Sequence, residues 1–136
     1  MQVRFEQRIT IVRGIKPRQT SINEELQWFG NALGLFGARD KDKSCFRIFI
    51  ELLKSAKKNQ PLTSDDLSYR LGLSRATVIH HLNRLMEGGM VLHDGRKYLL
   101  RVDSLTHLVD EVQKDLARTF NDLREIAGEI DKRLGQ

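Results

Sequence analysis

The sequence predicts a mainly α fold with a small β-hairpin, an α+β arrangement, on three observations. Two short amphipathic helix patterns meet at Gly72, a period-two run folds back at Asp94-Gly95, and an apolar stripe recurs at steps of three and four from Leu105 to Leu134. They place a central domain at 41–102, an N-terminal strand and helix extension at 1–40, and a long C-terminal helix at 103–136.

At the N-terminal end, Val3, Phe5, Ile9 and Ile11 alternate with Arg4, Glu6, Arg8 and Thr10, the period of a half-buried strand. Such a strand needs an edge, supplied by a second subunit or by a strand beyond Val12; residues 13–20 read as a basic loop. Ile22, Leu26, Phe29, Leu33 and Phe36 then share a helical face, while Trp28 and Leu35 lie off it. A helix apolar on more than one side is expected to be sandwiched between elements. Gly30, Gly34 and Gly37 lower its helix propensity, which fits close packing or a bend. Lys43 to Lys57 forms the next helix, with Phe46, Phe49, Ile50 and Leu53 on one face and Asp40 or Asp42 near its start. Its lysine-rich end fits either the helix dipole or contact with phosphate.

Thr63 or Ser64 can cap the following helix because a side-chain hydroxyl accepts from an unpaired backbone N–H, and Asp65 and Asp66 fall in the first turn, which favours negative charge. Leu67 and Leu71 share its buried face. Gly72 can adopt the left-handed conformation that ends a helix, Leu73 can pack inward and Ser74 can cap the next helix. There Val78, Leu82 and Leu85 form the apolar stripe. Roughly opposite run Thr77, His80 and Arg84, flanked by Arg75 and Asn83. Gly88-Gly89 stops this helix. Met90 to His93 and Arg96 to Leu100 read as two strands around an Asp94-Gly95 turn, with Arg96 and Lys97 near the tip. Two helices across a tight turn followed by a hairpin are the parts of a winged helix-turn-helix. In that arrangement one helix enters a DNA major groove and a loop lies beside it.

The tail reads as one helix of about eight turns, roughly 48 Å long, with Leu105, Leu108, Val112, Leu116, Phe120, Leu123, Ile126 or Ala127, Ile130 and Leu134 along one side. A domain this small cannot cover so long a stripe. The same helix of a second chain is the simplest partner, giving a homodimer; the alternative is that the stripe folds back on the chain's own N-terminal helix.

With 136 residues and 40% hydrophobic residues there is material for one core. No apolar stretch approaches a membrane span and the N-terminus lacks a signal-peptide apolar region, so the expectation is a cytoplasmic protein without membrane contact. The lone Cys45 has no intramolecular disulfide partner. The net charge of +5 is uneven: +2 over residues 1–38, +4 over 39–60, +2 over 61–102 and −3 over 103–136. An acidic tail is repelled by phosphate and should point away from it while the rest faces it.

No glycine-rich phosphate loop, nucleophile elbow or recognisable carboxylate pair is present, so no enzymatic activity and no cofactor are expected. Adjacent His80 and His81 point about 100° apart on a helix, which disfavours a shared metal. Asp103, His107 and Glu111 share a helical face, yet zinc wants four ligands and no second histidine follows, so no metal is expected.

The run LSYRLGLSRATVIHHLNRLMEGGMV resembles the winged helix-turn-helix of the ArsR and MarR groups of prokaryotic transcription regulators, and TVIHHLNRLMEGGMV is closest to ArsR-type repressors. The resemblance covers about forty residues, some sixty with the preceding helix. Family members usually carry a serine where Ile79 stands, a position that often faces DNA. The resemblance implies double-stranded DNA as partner, read by Ser74, Arg75, Thr77, His80, Asn83 and Arg84, with Arg96 and Lys97 anchoring the backbone or minor groove. A chromosome-organising protein with little sequence preference, or a winged helix that binds protein and not DNA, remain the alternatives.

Overall fold

The computed structural model describes residues 7–18, 21–35 and 43–135. Among them five helices and a small sheet follow in the order α1 (Ile22–Ala32), α2 (Ser44–Lys57), β1 (Leu62–Thr63), α3 (Ser64–Leu71), α4 (Arg75–Glu87), β2 (Val91–Asp94), β3 (Lys97–Leu100) and α5 (Leu105–Leu134). The expected positions Val3, Phe5, Phe36, Asp40 and Asp42 lie outside the described residues.

Residues 7–12, expected to continue a strand, belong to no sheet. Their amides instead find carbonyls at helix ends, which lack a partner one turn on: the Arg8 N–H donates to Glu87 O and the Val12 N–H to Ala32 O, both at 2.8 Å. Ile9 packs against the core, whereas Ile11 stays exposed. The Ser21 hydroxyl caps α1 by accepting from the Glu24 N–H. The helix ends before the Phe36 of its expected stripe, because Gly34 turns left-handed at φ 67°. A Cβ there would stand 2.7 Å from the Thr10 Cβ, so this close approach requires glycine.

α2 is the central helix, in contact with α3, α4 and β3. Its buried face is Cys45, Ile48, Phe49, Leu52 and Ser55, not the expected Phe46, Phe49, Ile50 and Leu53. With neighbours around much of its circumference, its small residues turn to the closest contacts and Phe46, Ile50 and Leu53 become half-buried flanks. The core adds Leu67 of α3, Val78, Leu82 and Leu85 of α4, Val91 and Leu100 of the sheet, and Leu108 and Val112 of α5. Each such side chain contributes about 1.5 to 3 kcal/mol on burial.

The sheet has three strands in the order β1-β3-β2, all antiparallel. Only the β2–β3 hairpin was legible beforehand. The third strand is the two-residue β1, pairing Leu62 with Tyr98 and Thr63 with Lys97. Asp94 pairs with Lys97, so the turn residues are Gly95 and Arg96, one position later than expected. The strands and five helices together form a winged-helix α+β fold.

α5 starts at a Ser104 cap, where the hydroxyl accepts from the His107 N–H. Its first half is seated on the core through Leu108 and Val112, with Leu105 and Leu116 alongside. Every residue from 117 to 135 is exposed, including Phe120, Leu123, Ile126, Ile130 and Leu134. No described part of the chain folds back over this stripe.

Candidate nucleic-acid interface

The turn between α3 and α4 is fixed by a group of local bonds. Thr63 and Asp66 form a reciprocal capping box at the start of α3. Donation from the Thr63 N–H and hydroxyl holds the Asp66 carboxyl below its ordinary range. At the other end Gly72 turns left-handed at φ 65°, and the amides of Gly72 and Leu73 both donate to Ser68 O. The Ser68 hydroxyl donates to Leu73 O, and the Arg47 guanidinium of α2 reaches Leu71 O at 2.6 Å. Ser74 then caps α4, accepting from the Thr77 N–H at 3.1 Å while its hydroxyl donates to the Thr77 hydroxyl at 2.8 Å. The first turn of α4 is therefore held rigidly against α3.

At about 100° per residue, burial of Val78, His81, Leu82 and Leu85 leaves Ala76, His80, Asn83 and Glu87 at the centre of the outward side of α4. Arg75 is exposed beside them. Its guanidinium lies 3.9 Å from Asp65, with both side chains more than 70% exposed, a pair that contributes little stability and leaves the cation available. Thr77 is half-buried, its hydroxyl engaged with Ser74. Arg84 lies further from the outward centre than the sequence suggests. It is half-buried and lines a cavity of about 70 Å³ with Arg8, Thr10, Leu33 and Gly34. In the hairpin, Arg96 occupies the turn and Lys97 the first position of β3, both exposed.

Sequence reasoning missed Tyr69. It is 92% exposed on α3, four residues after Asp65 and so on the side of α3 that carries the Asp65–Arg75 pair. The available signal was its position between Leu67 and Leu71 but off their shared face. Also missed was a polar junction behind the site. Arg101, directly after β3, donates through both terminal nitrogens to the Asp115 carboxylate of α5 and reaches Glu111 at 3.1 Å. Gln7 donates to the same carboxylate at 2.7 Å and to Gly88 O at 3.0 Å, and Arg118 completes the set. The Arg101 hydrogen bond leads the effects that hold the Asp115 carboxyl below its ordinary range, against the opposing cost of burial.

Glu111 is thus turned to Arg101 and Lys114, while His107 lies 3.4 Å from Asp103. Among the described residues, no three metal-ligating side chains converge. Nor, among them, is any helix long and apolar enough to cross a membrane.

Residues 50–92 match the family model described as bacterial regulatory protein, arsR family. The matched segment runs from within α2 through β1, α3 and α4 into β2, so it contains the helix-turn-helix and stops short of the hairpin turn. It supports the ArsR half of the sequence resemblance and does not confirm the MarR half. No curated protein and no solved structure matches the chain. An arsR-type helix-turn-helix supports double-stranded DNA binding in transcription regulation.

Proposed function

We propose that the protein is a dimeric, non-enzymatic transcription regulator that reads double-stranded DNA with α4 in the major groove. Arg75, His80 and Asn83 contact base edges, and Ser74, Thr77 and the amino end of α4 lie beside the backbone. Arg84 sits at the margin of this surface. Arg96 and Lys97 act as the wing, reaching phosphate or the minor groove, where cations add affinity without sequence information. Tyr69 adds a phosphate contact from α3.

The observation that carries this reading is the outward side of α4. It is exposed at His80 and Asn83 with the exposed cation of Arg75 at its flank, and it belongs to the segment that matches the arsR model. The exposed stripe on the second half of α5 supports dimerisation, because apolar positions at steps of three and four suit a copy of the same helix. A two-fold dimer presents two α4 helices and reads a palindrome. The chain accordingly divides into a 1–40 extension, a 41–102 DNA-binding unit and a 103–136 dimerisation helix.

Selection of bound fragments from random double-stranded DNA tests the proposal. An enriched palindrome is expected; bound DNA with no enriched motif would point to non-specific packing of DNA, and no binding at modest salt would point to a protein-interaction module.

A further inference from the structure

A second concave surface lies away from α4, between the N-terminal segment, α1 and the start of α5. It is open to solvent on one side and has a volume of about 420 Å³, within the range of about 300 to 1,000 Å³ typical of small-molecule sites. Leu26 and Phe29 of α1, Leu105 of α5 and Pro17 give it an apolar lining, with the exposed Ile22 at one margin. Lys16 and Arg18 stand on its rim. Among the described residues neither has an ion-pair or hydrogen-bond partner, and Glu25 is the one opposing carboxylate in the lining. The amino end of α1 carries Ile22 and Glu25 to the same cleft, and its first-turn carboxylates Glu24 and Glu25 offset the field of the helix end. Trp28 is half-buried in the wall, with its indole nitrogen close to Gly14.

We infer that this cleft binds a small organic anion: a carboxylate or sulfonate carried on an aromatic or branched apolar body. The apolar part lies against Leu26, Phe29 and Leu105, and the charged group meets Lys16 and Arg18. Among the described residues the lining carries two cations and one carboxylate, which favours an anionic ligand, and a volume of about 420 Å³ suits an organic body more than a simple inorganic ion. Such an occupant touches both α1 and the first residue of α5, and so links the N-terminal extension to the proposed dimerisation helix. The inference does not depend on DNA binding, so the two can fail separately.

Trp28 is the sole tryptophan of the chain, which makes its indole N–H a single, assignable NMR signal. The isotopically labelled full-length protein is titrated with 1-naphthoate and with 1-naphthalenesulfonate, and in parallel with the neutral 1-naphthamide. The expected result is a saturating shift of the indole signal with the anions, with Kd below about 1 mM, and at least about tenfold weaker binding of the amide. Charge reversal at the exposed Lys16→Glu and Arg18→Glu should weaken naphthoate by about tenfold or more and leave naphthamide unchanged, with the helical circular dichroism preserved. No saturable shift would overturn the inference. Equal binding of acid and amide, or indifference to charge reversal, would also overturn it.

Discussion

Arg101 at the exit of β3 grips the carboxylate of Asp115, about two helical turns beyond Leu108, the first α5 residue fully buried in the core. Asp115 is only 4% exposed, and its partners come from three separate parts of the chain. Removing Arg101 leaves the buried carboxylate with only Gln7 and the mostly exposed Arg118, so Arg101→Met is expected to lose about 3 kcal/mol. Asp115→Asn should lose less because the amide oxygen still accepts one bond. Urea unfolding at neutral pH measures both, and a double-mutant cycle separates the coupling from the two individual losses.

The pH dependence follows from the direction of the shift. Asp115 and Asp66 both have folded-state values below the ordinary carboxylate range. Their contributions are complete above the unfolded value of about 4 and disappear as pH falls through the lower folded value, because the unfolded chain takes up the proton first. The urea midpoint of the unmodified protein should therefore fall steeply between about pH 5 and about pH 2. Asp115→Asn should flatten that fall; an unchanged slope would mean that Asp115 is not held ionised by Arg101.

Contacts to bases and to phosphate separate by their response to sequence and salt. Arg75→Ala is expected to cost about 1 to 3 kcal/mol on the preferred site and much less on unrelated DNA. Lys97→Ala should weaken both alike and reduce the salt slope by about one. Fluorescence anisotropy on matched and scrambled duplexes at several salt concentrations distinguishes the two outcomes.

The free half of α5 gives a test of assembly. Leu123→Asp and Ile126→Asp place charge in the middle of the exposed stripe, so sedimentation should show a monomer where the unmodified chain is a dimer. Thermal stability of the winged-helix domain should change little, because neither residue packs against its core. Binding to a palindrome should fall sharply while binding to a half-site persists.

Ser74→Ala removes the cap of α4 and a hydrogen bond to Thr77. A loss of about 1 kcal/mol is expected in chemical denaturation. Ser74→Gly should lose only a few tenths.

Local chemistry made the central elements readable. The caps at Thr63 and Ser74, the Gly72 turn and the Val78, Leu82, Leu85 stripe each act within a few residues, and all stand as the sequence implies. Long-range pairing was not readable. β1 is two residues long and exists because β3 offers it an edge. The alternation through Ile9 and Ile11 suggested a strand, but the nearest unpaired carbonyls belonged to the ends of α1 and α4. On α2 the period was right and the face was displaced, since a helix with several neighbours buries more than one stripe. Of the proposed contact residues, the structure leaves His80 and Asn83 on the outward side of α4 and Arg75 exposed at its flank, and half-buries Arg84 beside Arg8 and Thr10, neighbours that helical periodicity alone does not reveal.

α5 continues without interruption from the half seated on the core into the half that stands free. From Asp115 to the end of the helix is about 28 Å. If two such helices pair in the proposed dimer, a change of about 10° in the angle between them swings one attached domain relative to the other by up to about 5 Å, more than the roughly 3.4 Å between neighbouring base pairs. A modest rearrangement at the crossing would then throw the two reading heads out of phase with the groove, releasing an operator without altering any residue that touches it.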